Sequence, residues 1–353
     1  MKIGNRELQI PIVQGGMGIG ISLGNLAGAV AACGGMGVIS AANPGFDEED
    51  FWTNSREANT RALKREIKKA KKLSGGRGMI GVNIMVAMED YELLVRDCID
   101  AGADCIISGA GLPKSLPEMT AGADILIAPI ISSARGVHTI CKLWKRRYNR
   151  LPDFVVVEGS KAGGHLGFSR EELLDNKSQS LEEIYKEVRE MVDSFQGEDS
   201  KYIPIVVAGG ISYDEDVKKY LDLGANAVQV ATRFIATEEC DASKGYKDIV
   251  INATKEDIRI VQSPVGMPGR ALYTPLIQRM EKEKNIRHER CINCIVPCNP
   301  STTPYCITKA LIEAQHGNYE EGLFFVGAEG YKMDKIVKVH DVIDELMGKV
   351  NDY

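Results

Sequence analysis

Phe154-Val-Val-Val-Glu-Gly-Ser-Lys-Ala-Gly-Gly-His165-Leu-Gly167 opens with an unbroken apolar run at residues 154–157. Such a run fits a strand buried on both faces, which is the condition of a parallel sheet. It then breaks into a glycine-rich loop with one histidine. Glycines let a backbone pass close to a ligand. A loop at the C-terminal end of a parallel strand is where α/β folds place their chemistry. His165 is therefore the first candidate for a catalytic group; a loop histidine with no task is the other reading.

Outward from this stretch, one unit recurs. Tyr91, Leu94, Val95 and Cys98 form a helical stripe that runs into Ala101-Gly-Ala-Asp-Cys-Ile-Ile107. Val217, Tyr220 and Leu221 form another, ahead of Leu223-Gly-Ala-Asn-Ala-Val228, and Ala121-Gly-Ala-Asp-Ile-Leu-Ile127 repeats the turn. Each reads as helix, glycine stop, tight turn, buried strand. Candidate strands fall at 11–15, 37–40, 79–84, 105–109, 125–131, 154–158, 205–208 and 227–232. Eight is the number for a (β/α)8 TIM barrel, and helices expected at 23–33, 54–73, 135–148, 181–195 and 214–223 fit between them. In the 54–73 helix, Leu63, Ile67 and Ala70 make the core stripe. The basic residues Lys64, Arg65, Lys68, Lys69, Lys71 and Lys72 read as a solvated face.

After Phe234 the alternation stops. Residues 235–330 hold Ser263-Pro-Val-Gly-Met-Pro-Gly269, a cysteine cluster and a helix near 308–316, and they read as an α/β barrel's C-terminal capping excursion. Ile336, Val339, Ile343 and Leu346 restore a helical stripe at 334–347, expected as the closing barrel helix. The organisation expected is thus a barrel over 1–234, a cap over 235–330 and a closing segment over 331–353.

Composition narrows the partners. The chain has 353 residues, 44% hydrophobic and only 6% aromatic, with 36 glycines, which suits an aliphatic sheet with many tight turns. A net charge of −6 argues against nucleic acid or an anionic membrane as partner. No run reaches the length of a membrane span, and Met1-Lys-Ile-Gly-Asn-Arg6 has no signal-peptide core, so a cytoplasmic protein with a small-molecule substrate is expected. A homodimer is compatible with the sequence.

Two constellations carry chemistry. Ala208-Gly-Gly-Ile211 ends the seventh strand and Gln229-Val-Ala-Thr-Arg-Phe234 ends the eighth, the two loops where (β/α)8 barrels bind phosphate. Gly209 and Gly210 would expose amides there, opposite Ala231 and Thr232. The second constellation is Cys291-Ile-Asn-Cys294-Ile-Val-Pro-Cys298 with Cys306. Thiolates at this spacing can hold zinc or an iron–sulfur cluster; the other reading is an apolar plug with free thiols and no metal. Cys33, Cys98, Cys105 and Cys141 read as small core hydrophobes. His138, His288, His316 and His340 have no partner motif.

These motifs together resemble the FMN-dependent nitronate monooxygenases (2-nitropropane dioxygenases), with the FMN-dependent enoyl-acyl-carrier-protein reductases close by. The resemblance rests on Pro11-Ile-Val-Gln-Gly-Gly-Met17, Gly81-Val-Asn83, Ser108-Gly-Ala-Gly-Leu-Pro113 with Leu116-Pro-Glu118, Ala162-Gly-Gly-His-Leu-Gly167, Ala208-Gly-Gly-Ile211 and Gln229-Val-Ala-Thr-Arg-Phe234. It runs in order through roughly the first 235 residues. It implies a barrel with FMN at its C-terminal mouth. The flavin would lie near Gly16, Met17 and Asn83, with its phosphate at Gly163, Gly209, Gly210 and Thr232. Gln14, Gly15, Ser108, Glu158, Gly164 and Ala231 are further cofactor-binding candidates, and His165 matches the active-site histidine. The implied reaction is oxidation of alkyl nitronates with O2 to a carbonyl compound and nitrite, His165 serving as base if a neutral nitroalkane is used. The alternative is an NAD(P)H-dependent enoyl-thioester reductase, which Gly37-Val-Ile-Ser-Ala-Ala-Asn-Pro44 resembles more. A non-catalytic flavin or metal sensor is a third reading. The segment after residue 235 matches neither enzyme group.

Overall fold

In the computed structural model, residues 1–4, 6–195, 202–283, 285–287 and 290–349 are described. His288 lies outside them. Eight parallel strands close into a barrel: β1 (Ile12–Gln14), β2 (Met36–Ser40), β3 (Met79–Met85), β4 (Cys105–Gly109), β5 (Leu126–Ile131), β6 (Val155–Glu158), β7 (Ile205–Ala208) and β8 (Ala227–Val230). Each pairs with the next in sequence, and β8 returns to β1 through Val228 and Ile12. The expected (β/α)8 barrel is therefore the fold.

The pleat sorts the residues. Val13, Val38, Ile107, Val156, Val206 and Ala227 point inward and fill the barrel, while Ile12, Ile39, Ile106, Val155, Val157 and Val228 point outward beneath the helices. A hairpin of Lys2–Ile3 and Arg6–Glu7 lies at the start of the chain, and Ile3 and Leu8 join the interior cluster. Helices Gly24–Ala32, Ser55–Ser74, Tyr91–Asp100, Ala134–Tyr148, Leu181–Asp193 and Asp214–Asp222 follow the strands they were expected to follow. The basic face of Ser55–Ser74 is paired more than simply solvated: Lys64 meets Asp97 and Asp100, Arg65 meets Glu48 and Lys71 meets Asp104.

The repeated turn has a physical reason. Gly102, Gly122 and Gly224 hold φ of +77°, +78° and +106°, which only glycine adopts without strain. The polar residue two positions later reaches the neighbouring strand in two of the copies. Asp104 Oδ2 accepts the Ile80 N–H at 2.8 Å, and Asn226 Oδ1 accepts the Ile205 N–H at 2.9 Å. Glycine also serves close approach at Gly37, where a Cβ would lie 1.8 Å from the Ala27 carbonyl oxygen.

The segment after β8 is more regular than its sequence suggests. It holds helix Lys244–Ile251, a hairpin of β9 (Ile258–Gln262) and β10 (Pro268–Leu272), and helices Pro275–Glu283 and Ile307–Gln315. Ser263-Pro-Val-Gly-Met-Pro-Gly269 contains the hairpin's turn. β10 also pairs antiparallel with the two-residue strand Gly164–His165, so this segment shares a sheet with the loop after β6. The last helix is shorter than expected, Val339–Leu346 rather than 334–347. Asp341 accepts the Lys338 N–H and fixes the start, and Val337 is drawn into a bridge with Thr237. Val339, Val342, Ile343 and Leu346 join the core that holds the first and last barrel units. Among the described residues no helix is long and apolar enough to cross a membrane.

Candidate functional site

A cavity of about 430 Å³ opens at the C-terminal end of the barrel, lined by residues from the ends of all eight strands and roofed from after β8 by Tyr246, Met267, Ile295, Leu311 and Phe325. Of the expected site residues, Gly15, Gly16, Met17, Asn83, Glu158, Gly163, Gly164, His165, Gly209, Gly210, Ala231 and Thr232 all line it.

Gln14 and Ser108 do not, and the pleat explains why. Each follows an inward residue, Val13 and Ile107, and so faces outward. Gln14 is fully buried between strands. Its Oε1 accepts the Val38 N–H at 2.9 Å and its Nε2 donates to the Gly15 carbonyl at 2.5 Å, bracing a β1–β2 junction whose ladder is only Val13 with Met36. Ser108 shares a 2.8 Å hydrogen bond with the Tyr91 hydroxyl on the neighbouring helix, where burial pushes the phenol up to about 12. The same alternation brings Gln229 into the cavity, a residue the sequence reading passed over.

Beyond β7, Gly209 and Gly210 hold φ of +97° and +87°. Among the described residues neither of their N–H groups donates to a protein acceptor. Both are half-buried and line the cavity, and two such amides side by side in a glycine turn mark a place for an anion. A Cβ on Gly209 would lie 2.8 Å from the Gly159 carbonyl oxygen, so the turn packs closely under the loop after β6. Thr232 lies across from them; its Oγ1 accepts the Gly327 N–H at 2.9 Å and keeps its own proton to donate. Gly163 serves packing, since a Cβ there would lie 2.5 Å from the Val326 backbone. Gly164, at φ +75°, has open space where a side chain would be. Arg270 on β10 anchors the loop: Nη1 donates to the carbonyls of Ser160 at 2.5 Å and Ala162 at 2.6 Å, and burial lowers the guanidinium's pKa.

His165 stands where this loop meets β10. Its Nε2 is 2.7 Å from Ser263 Oγ, and its ring lies edge-on to Phe325 at 5.1 Å. Ser263 Oγ also accepts the Val265 N–H at 3.3 Å; when the hydroxyl donates its own proton to Nε2, the imidazole proton sits on Nδ1 and is free to donate into the cavity. Burial pushes His165 down to about 4. The imidazole is therefore neutral at pH 7 and suited to donating a hydrogen bond. Glu158 is its counterpart. Burial pushes its carboxyl up to about 8, and it makes no hydrogen bond or ion pair among the described residues. At neutral pH both groups facing the cavity are uncharged. Ser263, Arg270 and Phe325 were missed because each sits about a hundred residues or more from its partner; the proline–glycine turn at 263–269 was their only signal.

The comparisons agree with this picture. The family model described as nitronate monooxygenase matches residues 1–349. The chain is 27% identical over 285 residues to (3aS,4S,5R,7aS)-5-hydroxy-7a-methyl-1-oxo-octahydro-1H-indene-4-carboxyl-CoA dehydrogenase of Rhodococcus jostii, covering 79% of this chain and 67% of that one. It is 31% identical over 130 residues to a probable nitronate monooxygenase of Staphylococcus saprophyticus, covering 37% of this chain and 34% of that one. Among solved structures it is similar in fold to FabK from Thermotoga maritima, with TM-score 0.73, 23% identity and coverage of 97% and 93%. The nitroalkane oxidase of Streptomyces ansochromogenes gives TM-score 0.73, 21% identity and coverage of 97% and 96%. The dehydrogenase, the probable monooxygenase and the oxidase among these relatives are named for redox activities. Matched along nearly its whole length, the chain belongs to the nitronate monooxygenase family, a family of oxidoreductases.

Proposed function

We propose that this oxidoreductase uses FMN and oxidises alkyl nitronates with O2 to a carbonyl compound and nitrite. The unpaired amides of Gly209 and Gly210 support FMN, because they fit a phosphate monoester beside the Thr232 hydroxyl. Gly15, Gly16 and Met17 with Asn83 would hold the ring at the mouth. FMN, when bound, supplies the redox chemistry. The protein's part is to bind, orient and exclude water. The observation that carries the nitronate reading is the uncharged His165 held by Ser263. A nitronate is already an anion and needs no base; it needs a hydrogen-bond donor at a nitro oxygen, which Nδ1–H supplies. The apolar roof of Met267 and Phe325 keeps water from that bond.

A hydrogen bond to a charged group is worth about 1.5–3 kcal/mol, so His165→Ala should cut kcat/KM on preformed nitronate about 10–100-fold, and His165→Asn, which keeps a donor, should cut it less. Neutral nitroalkane should be a poor substrate of the wild type. Equal rates on both forms, with His165→Asn crippling only the neutral one, would restore the base role. The protein should release FMN rather than FAD on denaturation.

The Rhodococcus relative, matched over 285 residues, is a dehydrogenase of a carboxyl-CoA, and this supports a second reading, reduction of an enoyl thioester by NAD(P)H. There Nδ1–H would donate to the thioester carbonyl. Anaerobic flavin reduction by NADPH or NADH separates the two. Fast reduction followed by reoxidation with an enoyl thioester, with little nitronate turnover, would replace the first reading with the second.

A further inference from the structure

Of the nine cysteines, Cys98, Cys105, Cys141 and Cys240 are buried in the core. Four others are set apart. Cys291, Cys294, Cys298 and Cys306, together with Trp52 and Glu89, line a separate cavity of about 280 Å³. None is in a disulfide. They come from two short stretches that the fold brings to one wall of the barrel mouth. The first is strapped to the loop after β3: Val296 N–H donates to the Ala87 carbonyl at 2.9 Å, Glu89 N–H donates to the Cys294 carbonyl at 3.2 Å, and Met88 bridges Ile295. Pro297, Pro300 and Pro304 stiffen the connection to the second.

Two of the four sulfurs receive hydrogen bonds. Thr308 Oγ1 donates to Cys294 Sγ at 3.1 Å. The Asn293 N–H donates to Cys291 Sγ at 3.4 Å, and that thiol donates in turn to Asn293 Oδ1 at 3.5 Å. Cys306 is the N-cap of helix Ile307–Gln315. The cavity that the four cysteines line is far larger than one metal ion needs, and among the described residues no three such side chains converge on a single ion's position. Four soft sulfur ligands around such a space suit a polynuclear centre.

We propose that Cys291, Cys294, Cys298 and Cys306 ligate an iron–sulfur cluster of the [4Fe–4S] type, built into the wall of the barrel mouth. Cys294, Ile295 and Ile307 line both cavities, so a single layer of side chains separates this centre from the mouth. Cys291 is exposed, so the cluster is open to solvent on that side and oxygen-labile.

The test is anaerobic purification, reconstitution with ferrous iron and sulfide, and analysis of iron and acid-labile sulfide, with electron paramagnetic resonance after dithionite reduction. The expected result is about four irons and four sulfides per chain and a cluster signal distinct from any flavin radical. Cys294→Ser/Cys306→Ser should lose the sulfide and the signal; bound flavin content reports whether the barrel is still folded. Should that variant misfold, alkylation of the wild type, mapped by mass spectrometry before and after iron chelation, takes its place. The four cysteines should be protected before chelation and labelled after it. One zinc per chain without labile sulfide would overturn the proposal. So would iron and sulfide undiminished in the double variant, or neither metal after reconstitution.

Discussion

The barrel and the segment that roofs it are held by different means. The barrel rests on repetition: eight ladders, an interior of inward residues, an outer layer of Val, Ile and Leu, and turns in which Asp104 and Asn226 do the same task. The roof rests on single contacts between side chains and distant backbone. Arg270 reaches Ser160 and Ala162, Thr274 Oγ1 donates to the Gly322 carbonyl, the Tyr305 hydroxyl to the Gln262 carbonyl, and Lys247 to the Thr237 carbonyl. Repetition spreads a local error over many neighbours only while the backbone spacing is kept. Single contacts tolerate a nearby change but fail when the one group that makes them is removed.

Glycine substitutions should break this symmetry most. In Gly37→Ala the new methyl meets the Ala27 backbone at 1.8 Å, so destabilisation should reach or exceed the about 1–3 kcal/mol of ordinary overpacking. In Gly266→Ala, in the turn between β9 and β10, nothing lies within reach and only φ +83° resists, a cost of about 1–2 kcal/mol. Urea midpoints of the two variants measure the difference, and equal losses would refute the contrast.

Next comes Arg270→Met, which keeps the apolar stem but leaves two carbonyls without a donor. Hydrogen bonds to a charged group are worth about 1.5–3 kcal/mol, so the urea midpoint should fall, and the loosened loop should lower FMN affinity about 10–100-fold, read by flavin fluorescence on titration. From the barrel side, Gly209→Ala acts on the same loop through φ +97° and the Gly159 carbonyl. At least about tenfold loss of FMN affinity is expected. If Arg270→Met left binding intact while Gly209→Ala abolished it, the roof would have no part in shaping the site.

The last effect, read only as a change with pH, is that of Glu158→Gln. The folded carboxyl keeps its proton up to about pH 8, while the unfolded one loses it near its ordinary value, so between these the native state binds more protons and stability falls as pH rises. His165 has the opposite slope below neutrality, because there the unfolded chain takes up the proton first. Glu158→Gln should therefore gain in Tm over the wild type from pH 5 to pH 9, on a scale of about 2–4 °C per kcal/mol. A constant difference across that range would mean the carboxyl is ionised throughout.

The same contrast explains what the chain discloses before it is folded. Eight strands were countable because the runs of β1, β4, β6 and β7 end in glycine and because the Gly-Ala-Asp turn repeats. Gln14 and Ser108 were misplaced by treating every residue of a motif as facing the ligand; counting alternate positions from Val13 and Ile107 would have turned both outward and turned Gln229 inward. Ser263, Arg270 and Phe325 had no such rule available. A contact made once, between residues far apart along the chain, leaves no period to detect. Helix 334–347 was drawn too long because a stripe at helical spacing continues through Ile336, while the Asp341 cap that fixes the start at Val339 lies inside the stripe.

The two-residue strand Gly164–His165, paired with Gly269 and Arg270, bears on how the molecule comes into being. The histidine leaves the ribosome about a hundred residues before the serine that orients it, and later still comes Phe325, which packs on its ring. A nascent chain released at residue 234 would carry the mouth's glycines except Gly327 and Gly330, and a histidine with no fixed direction. Any attempt to graft a different roof onto this barrel must therefore rebuild one edge of the sheet as well as the surface above it.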